Sequence, residues 1–338
     1  MSDPRIDAAL ARLRKQTGFE VRRGAPLAEL TRFGVGGPAD LLIDAFEVET
    51  LAAATATCRE LELPFVMLGE GSNVIAADEG FRGAVVRYRS SEIQRQGETL
   101  RAQVGAPLQA LVDRSIEAGL AGLHTLTRIP GGVGGAVYGN AGAYGRSMHE
   151  SVVEVEFLDG DRLGRFDNAE CQFEYRESVF KRRKDWLIVA CAVRLEPGDR
   201  RTLEDDARQI RDVRDAKYPP AMRCAGSIFK NLYLRDLPAE AAGAVPERAV
   251  REGKVASAFF LEQVGAKGMR RGGIQIADYH ANLIYNDGGG SARDLWILIQ
   301  ELKRRVRERF GFEVEEEVQY VGEFPPIEDA ARGCTPLR

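Results

Sequence analysis

The chain has 338 residues, 44% hydrophobic and 29% charged, which is ordinary globular usage and excludes a disordered or collagenous protein. Lys and Arg number 47 against 51 Asp and Glu, a net charge of −4, so no global field draws it to nucleic acid or an anionic membrane, and an anionic ligand has to be held locally. Five cysteines without a C-x-x-C pair, and three dispersed histidines outside any H-E-x-x-H, argue against a disulfide framework and against a metal site.

No apolar run approaches the roughly 20 residues of a membrane span. The start lacks the apolar stretch of a secretory signal, so a soluble cytoplasmic protein is expected. Asp3 as N-cap and Pro4 at the first helical position predict a helix with Ile6, Leu10 and Leu13 on its apolar face. Residues 41–43 read as a buried strand, 48–61 as a helix and 65–68 as a second strand, a βαβ unit. That strand runs into Gly69-Glu70-Gly71-Ser72-Asn73, which either simply ends it or turns backbone N–H groups toward phosphate oxygens.

Residues 84–88 and 99–104 read as strands, and Pro107 opens a helix through Ala118 that Gly119 ends. Residues 129–145 hold seven glycines in seventeen positions, with Ile, Val and Tyr in place of linker residues. They read as a tight crossover or as a loop whose backbone approaches a flat or phosphorylated ligand. Residues 152–158 and 162–166 form a hairpin around Asp159-Gly160, and 186–195 form a further strand.

After Glu196-Pro197-Gly198-Asp199 a charged helix, 203–216, leads to a turn at Tyr218-Pro219-Pro220, and a domain boundary is expected here. Residues 226–231 are irregular, and 274–276 and 282–285 are short strands. Ser291 and Asp294 predict a capping box for a helix with Leu295, Leu298, Leu302, Val306 and Phe310 on one face and Gly311 at its end. Residues 312–321 alternate as a strand with Glu313, Glu315 and Glu317 on one face. On composition alone Arg176, amid aromatics and carboxylates, is either a solvated ion pair or a ligand for an anion. Ser227 is in no G-x-S-x-G and has no nearby His or Asp, which excludes a hydrolase nucleophile elbow. His280 is a base or a core residue.

Eight motifs, taken in order, resemble one family. They are Thr31-Arg32-Phe33-Gly34-Val35-Gly36-Gly37-Pro38-Ala39, Leu68-Gly69-Glu70-Gly71-Ser72-Asn73-Val74, residues 129–145, Tyr175-Arg176-x-Ser178-x-Phe180, Gly226-Ser227-Ile228-Phe229-Lys230-Asn231, Lys267-Gly268-Met269, His280-Ala281-Asn282-Leu283-Ile284 and Glu315-Glu316-Glu317-Val318. The set is similar to the flavin-dependent UDP-N-acetylenolpyruvoylglucosamine reductases (UDP-N-acetylmuramate dehydrogenases) of bacterial peptidoglycan synthesis. The resemblance implies an α+β fold: a two-subdomain FAD-binding module of the FAD-linked oxidase (vanillyl-alcohol-oxidase-like) type, residues 1–80 and 81–198, then a C-terminal substrate-binding domain, 199–317, with 318–338 joining the first subdomain.

It also implies the reaction. NADPH gives a hydride to non-covalent FAD, flavin N5 passes it to C3 of the enolpyruvyl ether, and charge builds on C2 and its carboxylate. A fixed cation there lowers the barrier more than it stabilises substrate. By resemblance that cation is Arg176, its partner is Glu317 carrying or sharing a proton, and Ser227 protonates C2. Tyr175, Lys217 and Asn231 fall to the substrate, the last two near its diphosphate. Gly69, Gly71, Ser72, Asn73, Gly131, Gly134, Gly135, Asn140 and Gly142 fall to FAD. Glu70 stands where members often have Gly, which leaves Gly69 and Gly71 to present their N–H groups. The 232–257 stretch is a substrate lid or a surface insertion. UDP-N-acetylglucosamine enolpyruvate and NADPH are the expected partners, using one pocket in turn, with no nucleic acid, membrane or metal, and with a monomer as the expected state. The alternatives are another FAD-dependent oxidase or dehydrogenase on the same fold, and a non-catalytic nucleotide-binding module.

Overall fold

The computed structural model describes residues 3–326; Cys334 and the last part of the 318–338 segment lie outside the described residues. The chain is α+β and divides into two compact units. One comprises Met1–Ala25, Ala39–Gly71 and Arg82–Pro219, the other Pro26–Pro38, Ser72–Phe81 and Pro220–Arg338.

The first unit is built on two larger sheets. Helix α1 (Pro4–Leu13) starts on the Asp3 side chain, which accepts from Arg5 N–H, and buries Ile6, Ala9, Leu10 and Leu13 as its spacing predicts. With α2 (Val48–Glu60) it covers a four-stranded sheet ordered Phe19–Pro26, Pro38–Ala45, Phe81–Tyr88, Phe65–Met67. The predicted βαβ strands are therefore not neighbours: Phe81–Tyr88 lies between them, parallel to Phe65–Met67 in the register Val66↔Val85. The second sheet is antiparallel, ordered Arg162–Asp167, Val152–Asp159, Trp186–Arg194, Thr99–Gln103, Ile93–Gln96. Leu187 and Val189 of its central strand enter the core of the first sheet, while Ile188, Cys191 and Val193 enter the other, so both faces are covered and the run is apolar throughout.

That second core is closed by α3 (Leu108–Glu117), α4 (Val133–Tyr138), α5 (Val179–Arg182) and α6 (Arg200–Lys217). Helix α6 stands in the C-terminal domain on the sequence reading, yet Leu203 and Ala207 are buried with the α3 side chains. The apparent linker before it is itself tied down. Glu196–Pro197 pairs with Leu120–Ala121, and Gly198 N–H donates to Gly119 O at 2.8 Å, which turns α6 back onto this unit.

The second unit centres on α9 (Ala292–Phe310), which follows α7 (Ala239–Gly243) and α8 (Ser257–Gln263). Helix α9 ends at Gly311, φ 72°, as predicted. Its start differs from a reciprocal capping box: Ser291 Oγ accepts from Asp294 N–H at 3.0 Å, but the Asp294 carboxylate turns to Arg271 at 3.1 Å. Asp78, far away in sequence, accepts instead from the N–H groups of Ala292 at 2.8 Å and Arg293 at 2.9 Å. The Thr31–Ala39 motif packs by backbone: a Cβ on Gly37 would lie 2.1 Å from Asp78 O, and one on Gly80 1.9 Å from Pro38 O. Only glycine permits that approach.

Residues 312–321 form less of a strand than their alternation predicts. Only Gln319–Val321 is laddered, parallel to Val74–Ala76, because residues 315–317 pair with the irregular 228–230 segment instead. The 232–257 stretch folds into a small sheet of Leu232–Tyr233, Lys254–Val255 and Val250–Arg251 with α7, and packs around Phe260 against Phe310 and Phe312. Among the described residues no helix is long and apolar enough to cross a membrane, and no group of His, Cys, Asp and Glu is arranged to hold a metal.

Candidate active site

In the first unit the two glycine segments meet. A Cβ on Gly132 would lie 3.8 Å from Glu70 Cγ. The 129–145 segment is fastened along residues 104–108: Gly134 N–H donates to Val104 O at 3.1 Å, Val133 N–H to Ala106 O at 2.9 Å, and Leu108 N–H to Gly131 O at 2.9 Å. Its middle is the short helix α4, where the sequence suggests only a loop. A Cβ on Gly134 would lie 3.0 Å from Val104 Cβ, and one on Gly142 2.6 Å from Arg146 O. Gly69 and Gly135 are different, since among the described residues, their chain neighbours and the backbone of α4 aside, no heavy atom lies within 4 Å of where their Cβ would stand. The N–H groups of Gly69 to Asn73 donate to no acceptor among the described residues. Bare backbone with spare donors beside open space suits a dinucleotide pyrophosphate, so these residues fit FAD.

The Tyr175-Arg176-x-Ser178-x-Phe180 spacing becomes intelligible residue by residue. Phe180 is fully buried among Phe157, Phe166 and Trp186 and anchors the segment. Ser178 Oγ donates to Tyr138 O at 2.7 Å, tying it to the end of α4. Glu174 and Glu177 exchange both backbone hydrogen bonds, making a two-residue turn with Tyr175 and Arg176 at its tip. Arg176 occupies the left-handed region at φ 61°, a costly place for a long side chain. Its guanidinium donates to Gly142 O at 2.9 Å, approaches Asn140 O at 3.5 Å, and lies 5.2 Å from the Tyr175 ring centre. Asn140, buried at φ 41°, donates to Glu174 O at 2.9 Å and accepts from His149 N–H at 3.0 Å. Arg176 is thereby held on the second glycine segment. Burial, with the Glu177 charge adding to it, pushes the nearby Tyr138 phenol upward, so it stays protonated.

In the second unit, residues 226–230 lie between two other segments. Ser227 bridges to Leu283 and Phe229 to Glu316, both antiparallel. Lys230 N–H donates to Glu315 O at 2.9 Å and Glu317 N–H to Ile228 O at 2.7 Å, so the backbones of Ser227 and Glu317 are joined through Ile228. Asn73 Nδ2 donates to Glu317 O at 2.8 Å. The glutamates diverge: Glu315 pairs with the buried Lys230 at 2.5 Å, and Glu316 with Lys303 of α9 at 2.8 Å. The Ser227 hydroxyl is half-buried and bonds to no group among the described residues.

The expected site residues thus fall into two sets. Gly69, Gly71, Gly131, Gly134, Gly135, Asn140, Gly142, Tyr175, Arg176 and Lys217 belong to the first unit, and Ser72, Asn73, Ser227, Asn231 and Glu317 to the second. Lys217, the last residue of α6, lies 5.1 Å from the Tyr218 ring centre, with the Arg214 guanidinium 5.6 Å from the same ring. Asn231 is exposed beside Lys230. Sequence reasoning passed over Asn282 and Asp78. Asn282 sits in a motif that carries part of the resemblance, but its partners, Ile228, Phe229 and Ser257, are distant in sequence.

Comparison with known proteins agrees over nearly the whole chain. Residues 218–321 match the family model described as UDP-N-acetylenolpyruvoylglucosamine reductase, C-terminal domain, and residues 39–162 match that of an FAD binding domain. A UDP-N-acetylenolpyruvoylglucosamine reductase of Solibacter usitatus is 54% identical over 302 residues, 89% of this chain and 97% of its own. That of Bacillus subtilis is 30% identical over 320 residues, 94% of this chain and 99% of its own. The crystal structure of the reductase from Thermus caldophilus superposes with a TM-score of 0.72 at 28% identity, covering 90% of this chain and all of the other.

Proposed function

The chain belongs to the UDP-N-acetylenolpyruvoylglucosamine reductase family, and from that premise we propose how its own residues carry out the NADPH-dependent, FAD-mediated reduction of UDP-N-acetylglucosamine enolpyruvate to UDP-N-acetylmuramate in peptidoglycan synthesis. Bound FAD supplies the two-electron relay between NADPH and the enolpyruvyl carbon. The protein's task is to hold the sugar nucleotide, neutralise charge that grows on its carboxylate, and deliver one proton to C2.

Arg176 takes the carboxylate. Its planar fork suits two oxygens, and attraction rises as C2 gains electron density, so the stabilisation is larger in the transition state than in the bound substrate. Glu317 shares a proton with the same carboxylate, which an enolate-like transition state strengthens. Ser227 protonates C2 on one face. Lys217 and Asn231 meet the diphosphate, and Tyr175 borders the Arg176 end. The open positions at Gly69 and Gly135 hold FAD, with Gly71, Ser72, Asn73, Gly131, Gly134, Asn140 and Gly142 around it. Both substrates are water-soluble nucleotides, which supports a cytoplasmic setting.

The observation that carries this reading is the strained turn that holds Arg176 on the carbonyls of the second glycine segment. A binding module has no use for a cation stationed at such cost. The test is anaerobic: record the visible spectrum of the purified protein, reduce its flavin with NADPH, then add UDP-N-acetylglucosamine enolpyruvate. Prompt reoxidation with formation of the lactyl ether is expected. A flavin that stays reduced until air enters speaks for an oxidase, and a colourless protein without affinity for FAD refutes the assignment of both glycine segments. Parallel double-reciprocal lines are expected if NADPH and substrate use one pocket in turn.

A further inference from the structure

Asn282 lies in the stretch His280-Ala281-Asn282-Leu283-Ile284, to which the reaction as described assigns no role. Its side chain is 2% exposed and fully engaged. Oδ1 accepts from Phe229 N–H at 2.9 Å and from Ile228 N–H at 3.2 Å, while Nδ2 donates to Phe229 O at 2.9 Å and to Ser257 Oγ at 2.8 Å. Its own backbone carbonyl accepts from Ile228 N–H at 3.1 Å. Two acceptor and two donor sites on one planar group are what a carboxamide offers and what neither Asp nor Leu can reproduce.

The position of this clamp is what gives it meaning. Ser227 immediately precedes the clamped pair, and its hydroxyl has no hydrogen bond of its own among the described residues, so the backbone sets where its Cβ stands and thereby which positions the oxygen can reach. On the other side is Gly226, in the left-handed region at φ 82° and without a side chain to anchor the turn. Fixing Ile228 and Phe229 is therefore the means by which Ser227 is held. The same Ile228 carries the backbone bond to Glu317, at 2.7 Å, so one side chain governs the register of both groups.

We infer that Asn282 is a positioning residue for proton delivery: by clamping Ile228 and Phe229 it sets the Ser227 hydroxyl against C2 of the substrate. The inference rests on the reading of Ser227 as proton donor. Displacement by about 1 Å costs a reaction about 100-fold, which sets the scale of the effect.

The experiment uses the FAD-loaded enzyme and follows the two half-reactions separately by stopped flow. Asn282→Ala is expected to slow reoxidation of the reduced flavin by the enolpyruvyl substrate about 10- to 100-fold. Reduction by NADPH should be unchanged and KM should move much less than kcat. The deciding measurement is a double-mutant cycle. In a Ser227→Ala background, Asn282→Ala should cause a much smaller further loss of the residual rate, because there is no hydroxyl left to position and only the effect through Glu317 remains. An equal loss in both backgrounds, or a parallel fall in flavin reduction by NADPH, overturns the inference and makes Asn282 a folding residue only. Ser257→Ala removes one of the four bonds and is expected to act in the same step by a few-fold, so the cycle can be run with it if Asn282→Ala does not fold. If Ser227→Ala alone leaves reoxidation intact, the serine reading fails and the inference falls with it.

Discussion

Replacing Arg176 by glycine should cost far more in activity than in stability, and comparison with alanine shows why. Arg176 sits at φ 61°, a conformation that costs an L-residue about 1–2 kcal/mol. Glycine relieves this but gives up about 0.5–1 kcal/mol of additional chain entropy. The guanidinium bond to Gly142 O, 2.9 Å long and partly exposed, is worth about 1 kcal/mol. With the weaker contacts to Asn140 O and the Tyr175 ring also lost, the sum leaves Arg176→Gly within about 2 kcal/mol of the parent. Arg176→Ala loses the same bond, keeps the strain, and should be about 1 kcal/mol less stable than the glycine variant, or about 2–4 °C in melting temperature for a unit of this size. Both variants lack the cation, and by analogy with deletion of one oxyanion donor both should lose about 100- to 1000-fold in kcat. Melting curves followed by circular dichroism, flavin content and the rate of flavin reoxidation by the enolpyruvyl substrate together check this. A glycine variant no more stable than the alanine variant refutes the claim of strain, and one that keeps its rate refutes the role of the cation.

Gly135→Leu should fold as well as the parent, since its Cβ points into open space and leucine favours a helix by about 1 kcal/mol over glycine, yet it should release FAD on gel filtration; full flavin retention contradicts the cradle. Gly37→Ala, whose Cβ would meet Asp78 O, should instead lower the melting temperature by several degrees whether or not FAD is bound. Burial pushes the thiol of Cys58 up to about 11 and those of Cys171 and Cys191 up to about 12, and raises Cys224 as well, so in a Cys334→Ser background Ellman's reagent at pH 8 should titrate none of them until guanidinium is added. Burial lowers His124, against an opposing pull from Asp206, and its Nδ1 accepts from Gly122 N–H at 3.4 Å. The unfolded chain binds that proton more readily, so this contribution is complete above the ordinary imidazole pKa of about 6.5 and is lost as pH falls through it. His124→Gln should therefore lose less melting temperature than the parent between pH 7.5 and 5.5, and equal losses count against the assignment.

The sequence by itself determined the parts whose causes are local. Asp3 with Pro4, Pro107 with Gly119, and Ser291 with Gly311 bound helices within one residue or so of where they stand, because capping acts over three or four residues. The hairpin at Asp159-Gly160 and the glycine-rich segments followed from backbone chemistry in the same way, and the order of the motifs pointed to the family and its cofactor. Other features were decided only by chain segments that meet far from one another in sequence. Helix α6 returns to the first unit because a two-residue ladder at Glu196–Pro197 reverses it. Asp78 takes over the cap that Asp294 leaves for Arg271, three adjacent glutamates are sorted by Lys230 and Lys303, and the donors that define Asn282 come from a loop more than fifty residues earlier. A side chain's type states which bonds it can make, but burial and tertiary neighbours decide which of them it makes, since an unpaired polar group inside the protein costs more than any local preference supplies.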